Sequence, residues 1–400
     1  MAISSLKIAI MNRFTKQIVA IISLTLLGCL YLQHVSDCQR PSIALHQSQK
    51  SSPSIIDENN NNNNNNNKSN NNNKCKPRSN IVFIKAHKCA SSAIQNIFIR
   101  YGYFNDKIFV LPKDGNYLGH PQLFQRSLVP DPRSFKSNYN ILTHHSRLNY
   151  REMSLLMPNN TIFITIIRKP INLFESMFHY YKLDKLWTIT FDDFNQPKSF
   201  IPKKVKENRL VGKIGINQMM FDMGMTPKDF ENDDKIRHFI QRLDSVFSLV
   251  MVAERMEESL ILLKRLLCWN FDDIVVFKVN ARNTNSKHHL NATGIKRIEQ
   301  LNRADQMLYE HFTKKFEREV RKFGQKRMKR EINTLRTRTK SYYELCVNKT
   351  ITNSKSQIVR FVTRREDNLM CQFLTNNELS LTKFIRKEQI KRYPSSVFQN

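Results

Sequence analysis

The chain has 400 residues, too many for one small domain, and it carries a formal net charge of +30. Without its N-terminal fifth, which offers little to pack, roughly 320 residues are left for one large domain with a substantial core. The charge favours an anionic ligand or an acidic surface, but by itself it does not separate a ligand site from a solvated basic surface.

The N-terminal residues indicate a membrane tether. A charge-free apolar run from Ile18 to Leu32 follows several basic residues, which predicts a signal anchor with a cytoplasmic N-terminus. We expect a cytoplasmic tail over 1–17, a transmembrane anchor over 18–34, a disordered Asn-rich stem over 35–78 and a lumenal domain over 79–400. A cleaved signal peptide is the alternative.

Beyond the stem, short apolar runs alternate with stretches of helical spacing. This alternation predicts an α/β fold, a three-layer α/β/α arrangement around a central, mainly parallel sheet. The predicted strands are 81–84, 139–143, 161–167, 246–252 and 274–278, and the predicted helices are 93–101, 171–181, 234–243, 256–267 and 295–323.

The loop after the first predicted strand, KAHKCASS, carries the strongest local signal. A strand–loop–helix unit places backbone N–H groups at a helix N-terminus, where they bind anions. The loop is not a Walker A motif, because it contains no glycine. Lys88, the small Ala90 and the hydroxyls of Ser91 and Ser92 suit one phosphate. The alternative is a helix capped by Ser91, with exposed lysines beside it.

A second signal follows the strand predicted at 161–167. Arg168 comes directly after this strand, Pro170 starts a helix and Ser176 lies about two turns further on. The guanidinium and the hydroxyl would together clamp a second phosphate. Taken alone, the pattern also fits an ordinary helix start.

Together, the Lys-x-x-Ser-Ser and Arg-x-Pro signals resemble the two donor-binding motifs of the sulfotransferases. The resemblance covers most of residues 81–312 and is closest to the galactose 3-O-sulfotransferases, which include the enzymes that make sulfated galactosylceramide and 3-sulfated galactose on glycoproteins. It is carried by the segments IVFIKAHKCASSAIQNIFIRYG, NILTHHSRLN, FITIIRKPINLFESMFHYY, FSLVMVAERMEESLILLKRLLCWNFDDIVVFKVNAR and LYEHF.

The resemblance implies a P-loop-like sulfotransferase fold in the Golgi membrane. It implies sulfuryl transfer from 3′-phosphoadenosine 5′-phosphosulfate to the 3-hydroxyl of galactose on a glycolipid or glycoprotein glycan. Residues Lys88 to Ser92, including Cys89, would hold the 5′-phosphosulfate, and Arg168 with Ser176 the 3′-phosphate. The chain departs from the family where Cys89-Ala90-Ser91 replaces Thr-Ala-Gly, a change that keeps the residues small.

Transfer to a sugar hydroxyl requires a general base, and a histidine pair follows the strand predicted at 139–143. We expect His145 to take the proton and His144 to orient it or the sulfate, while a structural pair is the alternative. His87 is a weaker candidate. Lys88 would neutralise charge on the departing phosphate oxygen, as a catalytic residue.

Further candidates lie outside the two donor motifs. Arg282, in the polar stretch after the last predicted strand, is a candidate second ligand of the 3′-phosphate, with Ser286 assisting it. Asn217, Gln218 and Asp222 are candidates for lining the sugar site.

The cysteines give two expectations. No Cys or His group has the spacing of a zinc site, so we expect no metal. A lumenal domain permits disulfides, and Cys346 with Cys371 is the first candidate pair.

Other functions are weaker. A lumenal glycosyltransferase would be expected to carry Asp-x-Asp, which this chain lacks, and a kinase would need a glycine-rich loop. A carbohydrate O-sulfotransferase with a uronic acid or hexosamine acceptor, and a non-catalytic glycan-binding module, stay open. Nucleic acid is not expected as a partner of a lumenal domain.

Overall fold

The computed structural model of the chain describes residues 75–196, 215–277, 290–352 and 359–393. The strands are β1 (Ile81–Ile84), β2 (Phe109–Val110), β3 (Ile141–Leu142), β4 (Ile162–Ile167), β5 (Leu249–Val252), β6 (Val347–Thr352) and β7 (Val359–Thr363). The α-helices are α1 (Ser91–Phe104), α2 (Tyr150–Leu156), α3 (Pro170–Tyr180), α4 (Leu183–Trp187), α5 (Gln218–Asp222), α6 (Asp233–Val246), α7 (Met256–Leu267), α8 (Ala292–Leu301), α9 (Arg303–Phe323), α10 (Gln325–Cys346), α11 (Leu369–Thr375) and α12 (Glu378–Arg392). Short 3-10 helices span Arg126–Leu128, Pro132–Phe135, Asp192–Asn195, Pro227–Asp229, Ala253–Arg255 and Asp272–Ile274.

Five strands form a parallel sheet in the order β2-β3-β1-β4-β5. The central strands β1 and β4 are apolar and buried along their whole length, as strands covered on both faces are. Their register pairs Ile84 with Thr165, so both strands end at the same edge of the sheet. The predicted α/β class with a central parallel sheet is confirmed.

One predicted strand does not form. Over 272–274 the chain makes a 3-10 turn, and the described residues 275–277 do not join the sheet. The buried guanidinium of Arg100 donates to the carbonyl oxygens of Asp273 and Val275, both at 2.7 Å. Over 274–277, the described part of the strand predicted at 274–278, the prediction was wrong, because a side chain from α1 takes hydrogen bonds that a neighbouring strand would need.

The long helix predicted over 295–323 is two helices, α8 and α9, which meet at Asn302. The Asn302 amide donates to the carbonyl of Ile298 at 2.9 Å, and its oxygen accepts from the backbone N–H of Asn217 at 2.9 Å. An asparagine side chain that bonds the backbone in this way competes with helix continuation, which apolar periodicity does not reveal.

The C-terminal segment folds back onto the sheet. After α10, the antiparallel hairpin β6–β7 leads to α11 and α12. The predicted disulfide between Cys346 and Cys371 is confirmed. At the far end of α12, the Gln389 amide bonds both the N–H (2.8 Å) and the carbonyl (3.0 Å) of Phe109, so the helix covers the edge strand β2.

The predicted tail, the anchor at 18–34 and residues 35–74 of the stem lie outside the described residues. In the described part of the chain, no helix is both long and apolar enough to cross a membrane. Residues 75–78, which we had assigned to the stem, contact the domain. Cys75 forms a second disulfide, with Cys268, and Arg78 N–H donates to the carbonyl of Leu267 at 2.9 Å.

Candidate active site

The loop between β1 and α1 makes a tight turn without glycine. Lys88 and Ala90 both adopt left-handed backbone conformations, with φ of 55° and 59°, which costs about 1–2 kcal/mol each for residues that carry a Cβ. Ser91 Oγ donates to the carbonyl of Ala86 at 2.6 Å, so it closes the loop and does not cap α1. The first N–H groups of this 14-residue helix therefore have no side-chain cap, an arrangement that suits a bound anion.

The second motif lies against this loop. Arg168 follows β4, the neighbour of β1, and its guanidinium donates to the carbonyl of Lys88 at 2.8 Å. Lys88 Nζ lies 3.6 Å from the ring centre of Tyr180, at the end of α3, and Ser176 is partly exposed on the same helix. The structure thus brings together the two predicted motifs. That they hold the two phosphates of one nucleotide stays a prediction.

His145 lies beside the loop with both ring nitrogens engaged. Its Nδ1–H donates to the carbonyl of Lys85 at 3.1 Å, and its Nε2 faces Lys85 Nζ at 2.9 Å. Burial and the charge of Lys85 hold the pKa of His145 well below its usual range. A nitrogen that already accepts from an ammonium is poorly placed to take another proton.

His144 points to a different part of the fold. Its Nε2 is 3.0 Å from the hydroxyl of Thr382 on α12, and the side chain is fully buried. Burial lowers the pKa of His144 to about 3. The two adjacent histidines therefore contact different elements, and their assignment as base and orienting residue stays a prediction.

His87 has the geometry of an oriented base. Its ring Nδ1 lies 3.0 Å from Asp222 Oδ2 and its backbone N–H donates to the same oxygen at 2.8 Å. A carboxylate only accepts, so Nδ1 carries the hydrogen and Nε2 of the neutral ring has a lone pair. The buried Nε2 has no hydrogen-bond partner among the described residues.

Asp222 is held as a carboxylate in the interior. Burial alone would raise its pKa, but the neighbouring His87 and His120 hold the pKa below its ordinary value. Gln218 donates to Asp222 Oδ1 at 2.8 Å, so two of the three residues proposed for the sugar site join His87. The third, Asn217, instead donates to the carbonyl of Leu301.

Aromatic rings cover the histidines. His87 stacks on His145 with ring centres 4.2 Å apart, and Tyr117 stacks on His145 at 5.0 Å. Tyr117 is 45% exposed, while both histidines are buried. The exposed end of this ring stack is therefore the aromatic ring of Tyr117.

His87, His120 and Asp222 also lie close enough together, with ligand atoms all within 4.8 Å, to be considered as metal ligands. However, His87 and Asp222 are hydrogen-bonded directly to each other. In this arrangement the carboxylate takes the Nδ1 hydrogen of His87, and the Nε2 lone pairs of His87 and His120 have no hydrogen-bond partner among the described residues. The absence of a metal stays a prediction.

The remaining predicted site residues are Arg282, Ser286 and Cys89, and two further residues of the site were not predicted. Arg282 and Ser286 lie outside the described residues. Cys89 is buried in the loop, where burial raises the pKa of its thiol and favours the neutral form. Lys85 and Glu378, which form an ion pair at 2.7 Å beside the loop, were missed by sequence reasoning. Glu378 lies in no motif and carried no sequence signal.

These features define a class: an α/β protein with a parallel sheet, a strand–loop–helix turn with an uncapped helix start after its central strand, and an arginine from the adjacent strand bonded to that loop. The model of the galactose-3-O-sulfotransferase family matches residues 8–365. The chain therefore belongs to the galactose-3-O-sulfotransferase family, as its sequence motifs had indicated.

Similarity to individual proteins agrees with this family assignment. The chain is 36% identical over 277 residues to human galactosylceramide sulfotransferase, with 68% of this chain and 65% of the relative covered. It is 32% identical over 277 residues to human galactose-3-O-sulfotransferase 2, covering 68% and 69%. It is 30% identical over 273 residues to human galactose-3-O-sulfotransferase 3, covering 64% and 60%. The match thus spans 65% of the length of the galactosylceramide sulfotransferase, less than two thirds, and 69% and 60% of the other two proteins.

Proposed function

We propose that this protein transfers a sulfuryl group from 3′-phosphoadenosine 5′-phosphosulfate to the 3-hydroxyl of a galactose residue on a glycolipid or glycoprotein glycan. Family membership supports the reaction class, and the names of the relatives support galactose as the acceptor sugar.

The observation that carries the proposal is the contact between the two donor motifs. Arg168 bonds the backbone of Lys88 at 2.8 Å, so cationic groups from adjacent strand ends face one region at the uncapped start of α1. A nucleotide with phosphates at both ends needs two such groups. The residues therefore fit the donor, with Lys88 to Ser92 at the phosphosulfate and Arg168 with Ser176 at the 3′-phosphate.

When bound, the donor supplies a sulfuryl group attached to a phosphate leaving group. We propose that His87 Nε2 takes the proton of the galactose hydroxyl as its oxygen forms the new bond to sulfur. Asp222 holds the tautomer that makes Nε2 the acceptor and stabilises the imidazolium that results. His145 is the second candidate, but its Nε2 first has to release Lys85.

Lys88 is proposed to stabilise the leaving group. As the sulfur–oxygen bond to the phosphate breaks, negative charge collects on the phosphate oxygen, and an ammonium beside it lowers the barrier. In this structure the ammonium rests over the Tyr180 ring, a contact that it can leave at a cost of about 0.5–2 kcal/mol.

The acceptor is proposed to approach along Tyr117. Its exposed ring borders the histidine pair, and an aromatic face packs well on the apolar face of a sugar. Placement in the Golgi membrane as a type II protein is also a proposal. The two disulfides support a domain that faces an oxidising lumen.

The test uses the full-length chain purified in detergent and donor labelled in its sulfate. Acceptors are galactosylceramide, lactosylceramide, a galactose-terminated glycoprotein glycan, and glycans that end in uronic acid or hexosamine. We expect label at the 3-hydroxyl of galactose. Label on uronic acid or hexosamine alone would overturn the acceptor, and binding of glycans with no transfer to any of them would favour a glycan-binding module.

A further inference from the structure

The C-terminal helix α12 brings a carboxylate to the loop that follows β1. Glu378, the first residue of α12, accepts through Oε2 from Lys85 Nζ at 2.7 Å and from Ser92 Oγ at 2.6 Å. Its Oε1 accepts from Asn116 Nδ2 at 2.7 Å. Three segments that are far apart in the sequence therefore meet on one side chain, which lies beyond the residues 8–365 that the family model matches.

The ion pair between Glu378 and Lys85 is a paired charge in the interior. Lys85 is 1% exposed, and burial lowers its pKa while Glu378 opposes that shift. Burial alone would raise the pKa of Glu378, but Lys85 and Ser92 hold it below its ordinary value. Removal of the carboxylate would leave a buried ammonium without its counter-charge, which is strongly unfavourable.

Lys85, held by Glu378, contacts His145, which in turn stacks on His87. Its Nζ contacts His145 Nε2 at 2.9 Å, its carbonyl accepts from His145 Nδ1, and the His145 ring stacks on His87 at 4.2 Å. The orientation of His145, and so of the ring face on which His87 stacks, thus depends on where the ammonium lies, and Glu378 is the anion that holds it there.

Other residues of α12 also hold the helix in place, apart from Glu378. Gln389 bonds the backbone of Phe109 twice, and Arg386 donates to the carbonyl of Pro112 at 2.8 Å. Thr382 contacts His144 at 3.0 Å. With these contacts in place, a change at Glu378 tests the carboxylate and not the docking of the helix.

We propose that Glu378 is a positioning residue for the transfer reaction: it holds the Lys85 ammonium against His145 and so fixes the paired imidazoles. The inference rests on the proposed function. Glu378 does not itself favour the donor, because it takes the single hydroxyl hydrogen of Ser92, for which a bound phosphate competes, whereas its bond to Lys85 does not use that hydrogen. Turnover and nucleotide binding should therefore respond differently to its removal.

The experiment compares Glu378→Gln and Glu378→Ala with Glu388→Gln in the full-length chain. Glu388 is on the same helix and pairs only with Lys391 among the ion pairs of the described residues. We expect turnover to fall about tenfold or more in both Glu378 variants and to stay at the wild-type level in Glu388→Gln. Calorimetry with adenosine 3′,5′-bisphosphate should give an unchanged or lower dissociation constant.

Added formate tests directly whether the missing carboxylate limits the turnover of Glu378→Ala. Glu378 is partly exposed, so a small carboxylate can reach the space left by Glu378→Ala. We expect formate, but not formamide, to raise the turnover of Glu378→Ala, with no effect of formate on Glu388→Gln.

The following results would overturn the proposed role of Glu378 or the proposed function. Wild-type turnover in Glu378→Gln overturns the inference, and so does a folded Glu378→Ala that is slow and not rescued. If Glu378→Ala does not fold, the isosteric Glu378→Gln decides, and loss of folding in both variants overturns a positioning role. If the wild-type chain neither binds the nucleotide nor transfers label, the proposed function itself fails, and this is seen before any variant is made.

Discussion

Asp222 Oδ2 accepts two hydrogen bonds from one residue, from the backbone N–H of His87 at 2.8 Å and from its ring Nδ1 at 3.0 Å. The pair joins the loop after β1 to the end of α5, residues that are 135 positions apart. Because the carboxylate fixes both the backbone and the ring, His87 has one orientation and one tautomer, with the lone pair on Nε2.

The first prediction concerns this pair. In Asp222→Asn, the amide donates to Nδ1 and moves the ring hydrogen to Nε2, which removes the basic nitrogen. We expect turnover to fall by about 10²–10⁴-fold with little change in nucleotide binding, measured as transfer of labelled sulfate and by calorimetry. Asp229→Asn is the control, because Asp229 pairs with Lys235 at the surface. Retention of turnover to within about threefold would remove His87 as the base.

The second prediction concerns Lys88. We expect Lys88→Ala to lose turnover by about 10²–10³-fold, since no other ammonium replaces it at the leaving group. The thermal midpoint should stay close to that of the wild-type chain, because Lys88 is partly exposed. Lys329→Ala, on the exposed side of α10, controls for the loss of one positive charge. Unchanged turnover in Lys88→Ala would refute its catalytic role.

The third prediction concerns the acceptor. Removal of the exposed ring in Tyr117→Ala should raise the acceptor KM by about 2–10-fold, whereas Tyr117→Phe keeps the ring and should match the wild-type KM. The matched control is Tyr150→Ala, a tyrosine that is 50% exposed and lies on α2. Equal KM values in Tyr117→Ala and the wild-type chain would exclude Tyr117 from the sugar site.

The fourth prediction follows from the buried histidines. Burial lowers the pKa of His144 to about 3, whereas an unfolded histidine binds a proton near about pH 6.5. Between these values the unfolded chain binds more protons, so the free energy of unfolding falls as the pH falls, by up to about 1.4 kcal/mol per pH unit for each such histidine.

Denaturant titrations between about pH 6 and about pH 4 measure this slope. We expect His144→Gln to have a shallower slope than the wild-type chain, and His238→Gln, an exposed histidine on α6, to keep the wild-type slope. Equal slopes in the His144 variant and the wild-type chain would contradict the buried, neutral state of His144.

The fifth prediction concerns the docking of α12. Gln389→Leu removes both hydrogen bonds to the buried Phe109 backbone, and two unsatisfied backbone groups should lower the free energy of unfolding by about 2–4 kcal/mol. Gln372→Leu is the control, because it loses one exposed hydrogen bond, to the carbonyl of Glu366. A loss no larger than that of the control would mean that α12 does not depend on this contact.

Strong local patterns predicted much of the fold. The apolar runs of β1 and β4 indicated buried strands, and the parallel sheet that they predicted is present. The two-residue strand β2 is too short for any periodicity, and it exists because the side chain of Gln389 completes its hydrogen bonds. A contact between residues 280 positions apart leaves no trace in a local pattern.

The sequence by itself determined where Lys88 and Arg168 lie, each directly beyond an apolar strand, and the resemblance of these two motifs to the sulfotransferases indicated the reaction class. Only the tertiary structure decided which carboxylates lie beside His87 and Lys85 in the same loop. Asp222 beside His87, and Glu378 beside Lys85, are partners chosen by packing across segments far apart in the chain. A buried charge selects whatever opposite charge the fold brings within hydrogen-bond distance, and spacing along the sequence does not encode that choice.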